Sequence, residues 1–153
     1  MLWFDGQAEE AAKFYVSIFF PNSEIIDVAR FGDTGPGPKG SIMTVAFRLG
    51  EQEFVALNGG PKAKFTEAIS IAIEVETQEE VDRYWKALTA NGGEEGVCGW
   101  LKDPYGLSWQ VVPSALIRAL AGSDEKRVNR VMAAVMGMRK IELPKIQAAA
   151  RGR

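Results

Sequence analysis

One segment of this chain occurs twice. Glu9-Glu10-Ala11-Ala12-Lys13-Phe14-Tyr15, followed by Ile18, returns seventy positions later as Glu79-Glu80-Val81-Asp82-Arg83-Tyr84-Trp85, followed by Leu88. In each copy two acids open the stretch, a basic residue follows, and two adjacent aromatics precede an aliphatic residue one helical turn on. Acids in the first turn and apolar residues at helical spacing describe an amphipathic helix entered at the positive end of its dipole. A repeat of this period points to two copies of one structural module, and a cleft between paired modules is the expected place for a ligand.

The residues flanking each copy read the same way. Leu2 to Phe4 is a short apolar strand ended by Asp5-Gly6, and the helix runs from about Gln7 to Phe20, stopped by Pro21. Glu24 to Phe31 reads as a strand, and the Gly/Pro-rich segment 32–40 as a loop over the cleft mouth. In Ser41 to Leu49, Met43, Val45, Phe47 and Leu49 alternate with Thr44, Ala46 and Arg48, and Gly50-Glu51 turns the chain into a partner strand over Glu53 to Asn58. The second module opens with Ile69 to Val75. Thr77 and Glu80 then form a capping box for a helix over Gln78 to Ala90, and strands follow near Gly96 to Lys102 and Leu107 to Val112. The remainder is helical: Ser114 to Ala121, a longer helix from the Ser123 cap through about Met138, and a last one begun by Pro144. Its amphipathic pattern predicts packing on the sheet or on a partner subunit.

Composition removes several functions. With a net charge of −2 and a pI near 5.3, the chain has no basic field to cover a phosphate backbone, so no nucleic-acid partner is expected. No run approaches the roughly 18 apolar residues of a membrane helix, and no signal peptide is visible. The single cysteine, Cys98, excludes an internal disulfide and fits a reducing cytoplasm. There is no histidine, which removes the commonest general base and the commonest metal ligand together.

Leu57-Asn58-Gly59-Gly60-Pro61, and above all the run Cys98-Gly99-Trp100-Leu101-Lys102-Asp103-Pro104-Tyr105-Gly106-Leu107-Ser108-Trp109-Gln110-Val111-Val112-Pro113, carry a family resemblance. The chain resembles the vicinal-oxygen-chelate (glyoxalase/bleomycin-resistance/dioxygenase) superfamily. Within it, the likeness is to the demethylubiquinone methyltransferase-like branch, related to the phosphonate-operon glyoxalase-like protein. The resemblance implies an α+β fold of paired βαβββ modules, a curved mixed sheet around a cleft, and a homodimer. On this sequence that gives one glyoxalase-like domain over 1–113, made of modules 1–62 and 63–113, and a C-terminal helical extension over 114–153.

In metal-dependent members the ligands, usually histidines and glutamates, project from the first and fourth strands of the modules. Carried onto this chain, those positions fall near Asn58, at Gln110, at Ser70 and around Leu2 to Phe4. Neutral amides and a hydroxyl are weak ligands for a divalent ion, so neither a metal nor another cofactor is expected. Strand alternation predicts a cleft lined by Thr44, Ala46, Arg48, Phe54, Ala56, Asn58, Ser70, Ala72, Glu74, Ser108, Gln110 and Val112. The expected ligand-binding residues are Arg48, Phe54, Asn58, Ser70, Trp100 and Gln110. Arg48 is the candidate partner for an anion; the alternative is a rim arginine paired with a neighbouring acid. Cys98 is expected to be structural, since nothing in the sequence guarantees a cation beside it.

The function these readings support is binding of a small, anionic or oxygen-rich molecule. The alternative is a lyase, isomerase or dioxygenase-like enzyme with an atypical metal site. The methyl transfer in the branch label is disfavoured, because no strand–GxGxG–helix unit exists to hold a methyl donor.

Overall fold

A computed structural model describes residues 1–152. The chain divides into two compact units, Met1–Phe65 and the part beginning at Thr66.

The first unit is built from β1 (Leu2–Phe4), α1 (Ala8–Phe19), β2 (Ser23–Arg30), β3 (Ile42–Leu49) and β4 (Gln52–Asn58). Its sheet has the order β1-β4-β3-β2, with β1 parallel to β4 and the other neighbours antiparallel. Helix α1 buries Ala8, Ala11, Ala12 and Tyr15, and the Tyr15 ring stacks on Phe47 of β3 with centroids 5.9 Å apart. Small residues on the first two turns let the helix lie close to the strands, and Val45 and Phe47 are fully covered. Residue 7 supplies no side-chain cap; the Ala8 N–H donates instead to Asn58 Oδ1 of β4, at 2.9 Å.

The β3–β4 hairpin corrects one sequence expectation. Leu49 pairs with Gln52 across the turn, so Phe47 faces Phe54 and Val45 faces Ala56. Directly opposed residues share a sheet face. Phe54, Ala56 and Asn58 therefore lie on the face that α1 covers, and Phe54 stacks on Phe47 at 5.4 Å. The open face of this hairpin carries Thr44, Ala46, Arg48, Glu53, Val55 and Leu57. The 32–40 segment is a loop, as its Gly/Pro content predicts. It wraps the Phe31 ring so closely that a Cβ on Gly37 would sit 2.4 Å from it. Phe31 and Gly40 close its base by backbone hydrogen bonds.

The second unit repeats the order with β5 (Ile71–Val75), α2 (Gln78–Thr89), β6 (Glu94–Glu95), β7 (Trp100–Lys102) and β8 (Ser108–Pro113). Its sheet order is β5-β8-β7-β6, again with a parallel first pair. Both units are thus βαβββ modules of one topology. The duplicated motif packs alike in both: the second aromatic, Tyr15 or Trp85, is the buried anchor of its helix. The Thr77–Glu80 capping box forms as expected, each side chain bonding the other's backbone N–H. Strand β5 starts two residues later than expected and leaves Ile69 exposed. The two-residue β6 has no apolar pattern to announce it.

Helices α3 (Ser114–Leu120), α4 (Glu125–Met136) and α5 (Leu143–Arg151) complete this unit around their own core of Leu116, Val131, Val135, Met138, Ile141 and Ile146. The extension grips the preceding module through hydrogen bonds. Cys98 N–H donates to Met138 O at 2.8 Å, Gly99 N–H to Arg139 O at 2.7 Å, and Leu143 N–H to Gln78 Oε1 at 2.7 Å.

Candidate functional site

The run from Cys98 to Pro113 builds most of the candidate site. Cys98 and Gly99 both take left-handed backbone angles, φ 57° and 84°. Gly99 is required there, because a Cβ would meet Val111 O at 2.9 Å. The Asp103-Pro104-Tyr105-Gly106 turn then sets the β7–β8 register. Asp103 is buried, and its carboxylate accepts from Tyr105 N–H, Leu107 N–H and Trp109 Nε1–H at 2.9, 3.1 and 2.8 Å. The DPYG signature is therefore a structural clasp on a core tryptophan.

That register arranges the face of the sheet away from Trp109 and Val111 in two rungs. One crosses from Glu94 through Lys102 to Ser108; the next joins Trp100 to Gln110 and Ala72. Over this face lies a cavity of about 600 Å³ bordered by Trp100, Lys102, Ser108, Cys98, Glu94 and Glu67, among others. Its size suits a small organic ligand. The walls by Trp100, Leu101 and Val97 are apolar. Lys102 Nζ lies 2.5 Å from Glu67 Oε1. Their bond holds the Glu67 carboxyl below the usual carboxylate range and the Lys102 ammonium above the usual lysine range. Ser108 is only 1% exposed, and its hydroxyl has no hydrogen-bond partner among the described residues. A buried hydroxyl left unpaired costs about 1–3 kcal/mol, so its presence beside a cavity calls for a partner.

Of the six residues named from the sequence, three come together. Gln110 Nε2 donates to Ser70 Oγ at 2.8 Å, and Trp100 is the cross-strand neighbour of Gln110. Arg48 lies on the open face of the first unit, paired with Glu24 at 2.5 Å and facing Glu53 on β4. Carboxylates on both neighbouring strands make it a poor anion host. Phe54 and Asn58 lie on the helix-covered face. Asn58 is also used up, accepting from Ala8 N–H and donating to Ile42 O at 3.0 Å. Sequence reasoning put Ser108 on the right face but did not single it out, and it missed Lys102, Glu67 and Glu94. The signal was the four-residue DPYG turn, which forces Lys102 opposite Ser108.

The superfamily's metal positions do not fit a divalent ion here. Counted from the last rung of each parallel ladder, Phe4 with Asn58 and Val75 with Pro113, Gln110 corresponds to Val55, a hydrocarbon. Ser70 and Gln110 spend hydrogen-bonding capacity on each other. Among the described residues no group of three or more His, Cys, Asp or Glu side chains is placed to hold a metal.

Two βαβββ units of the same strand order define a glyoxalase-type protein of the vicinal-oxygen-chelate class. Residues 1–112 match the family described as 3-demethylubiquinone-9 3-methyltransferase. A PhnB protein from Bacillus cereus is 35% identical and superposes with a TM-score of 0.65, over 73% of this chain and 95% of that one. A protein from Pseudomonas aeruginosa, 24% identical, shares the fold with a TM-score of 0.59 over 73% of this chain and 92% of its own. No curated protein matches the chain. The chain belongs to the 3-demethylubiquinone-9 3-methyltransferase family, a glyoxalase-type branch of that superfamily.

Proposed function

We propose that this protein binds a small organic molecule in the cavity over the open face of the second sheet, without a catalytic metal. The unpartnered Ser108 hydroxyl beside that cavity is the observation that carries the reading. Trp100 supplies a flat apolar wall and Lys102–Glu67 a charged rim. Methyl transfer is not part of the proposal: both sheets are mixed, and neither has the parallel doubly wound form that holds a methyl-donor nucleotide. A homodimer in a reducing cytoplasm belongs to the same proposal, supported by the superfamily resemblance and the free thiol of Cys98.

A thermal-shift screen of small aromatic acids, amines and amides tests the proposal, because a ligand that binds only the native state raises its melting temperature. Hits should lose their shift in Trp100→Ala and keep it in Arg48→Ala. Shifts abolished by Arg48→Ala and untouched by Trp100→Ala would move the site to the first unit. Metal analysis of protein purified without a chelating tag provides the second test. One stoichiometric divalent ion per chain would replace this reading with that of a metalloenzyme.

A further inference from the structure

We infer that the ligand of this cavity is an organic cation with a flat apolar body, by chemical class a protonated arylalkyl amine; the inference rests on the reading that the cavity binds a small molecule. Three charged side chains set the preference. Lys102 sits between Glu94, its cross-strand neighbour on β6, and Ser108 on β8, and its ammonium is bonded to Glu67. Glu95 also borders the cavity, but it pairs with Leu101 on the helix-covered side. There its carboxylate accepts from Trp85 Nε1–H at 2.8 Å and lies 3.8 Å from Arg139. Two carboxylates and one ammonium remain, a net charge of −1 at neutral pH. An incoming carboxylate must share the Lys102 ammonium with Glu67, and it then meets the Glu67 and Glu94 carboxylates. An incoming ammonium adds to a field already negative.

The neutral groups agree. The Trp100 ring on the adjacent rung offers a π face, which attracts cations. The Ser108 hydroxyl, 1% exposed and without a partner, can accept an N–H. Arg48, which the sequence suggested for an anion, is paired with Glu24.

Three probes of one shape separate the possibilities: phenethylamine, its neutral N-acetyl derivative, and 3-phenylpropanoate. Each is titrated into the full-length protein while the indole N–H signal of Trp100, assigned with Trp100→Phe, is followed by NMR. The amine should bind about 10-fold more tightly than the propanoate, with the amide between them, and added salt should narrow the gap. Glu94→Gln should cut the amine's advantage roughly threefold while the amide's affinity stays unchanged. Propanoate binding as tightly as the amine would overturn the inference and leave the cavity as a binding site. An undiminished amine preference in Glu94→Gln would overturn the charge assignment. No response of the Trp100 indole to any probe would remove both the inference and the cavity reading beneath it.

Discussion

Ser108 and Asp103 stand five positions apart on one hairpin and illustrate opposite uses of a buried polar group. The Asp103 carboxylate accepts two backbone N–H groups and an indole N–H, so a buried charge is fully engaged. Asp103→Ala strands three donors and should destabilise the fold by about 3 kcal/mol in urea unfolding. The Ser108 hydroxyl has no partner. Ser108→Ala should therefore raise the stability of the ligand-free protein by about 1 kcal/mol in the same experiment while weakening small-molecule binding. A loss of stability would mean that the hydroxyl is already satisfied. The sequence shows both residues but not which is paired, because pairing depends on a register fixed only when the turn closes.

The elements show where alternation succeeds and where it slips. In β8 the pattern separates cleanly: Trp109 and Val111 are buried, and Ser108 and Gln110 face the other way. In β4 both faces are mixed, since Phe54, Ala56 and Asn58 alternate with Glu53, Val55 and Leu57, so hydropathy alone assigns the wrong phase. The two-residue turn holds the answer, because pairing Leu49 with Gln52 forces Phe54 opposite Phe47. Asn58 then becomes the cap that α1 lacks. Asn58→Ala removes its bonds to Ala8 and Ile42 and should cost about 2 kcal/mol, read as a lower urea midpoint, with ligand affinity unchanged. In α2 the cap is local, and Thr77→Ala should cost about 1 kcal/mol.

At the scale of the whole molecule, the extension and the second module share three ion pairs, Arg118–Glu76, Arg139–Glu95 and Lys140–Asp82, beside their packed contacts. Asp82 on α2 pairs with Lys140 at 2.6 Å, and the bonds from Lys140 and then Gln78 hold its carboxyl below the usual aspartate range. A depressed folded value means that this stabilisation is present above the unfolded pKa of about 3.9 and is lost as pH falls through the folded one. Lys140→Met should thus cost a few tenths of a kcal/mol at neutral pH, since the pair is half exposed, and progressively less as pH falls through the folded pKa of Asp82. Equal unfolding curves at pH 7 would discount the pair. Ile141 is buried in the helical core and packs against Gly99. Ile141→Ala should cost about 3 kcal/mol and speed hydrogen exchange at Cys98 and Gly99, loosening the cavity wall. What the sequence determined by itself was local and periodic: the duplicated helix, the capping box, the DPYG run and the two-module plan follow from residue order along one chain. Only the tertiary structure decided which face each strand shows, which acid neutralises which base, and that Ser108 is left without a partner. Those outcomes depend on register and on neighbours distant in sequence, and a one-residue shift in pairing turns every side chain of a strand to the opposite face.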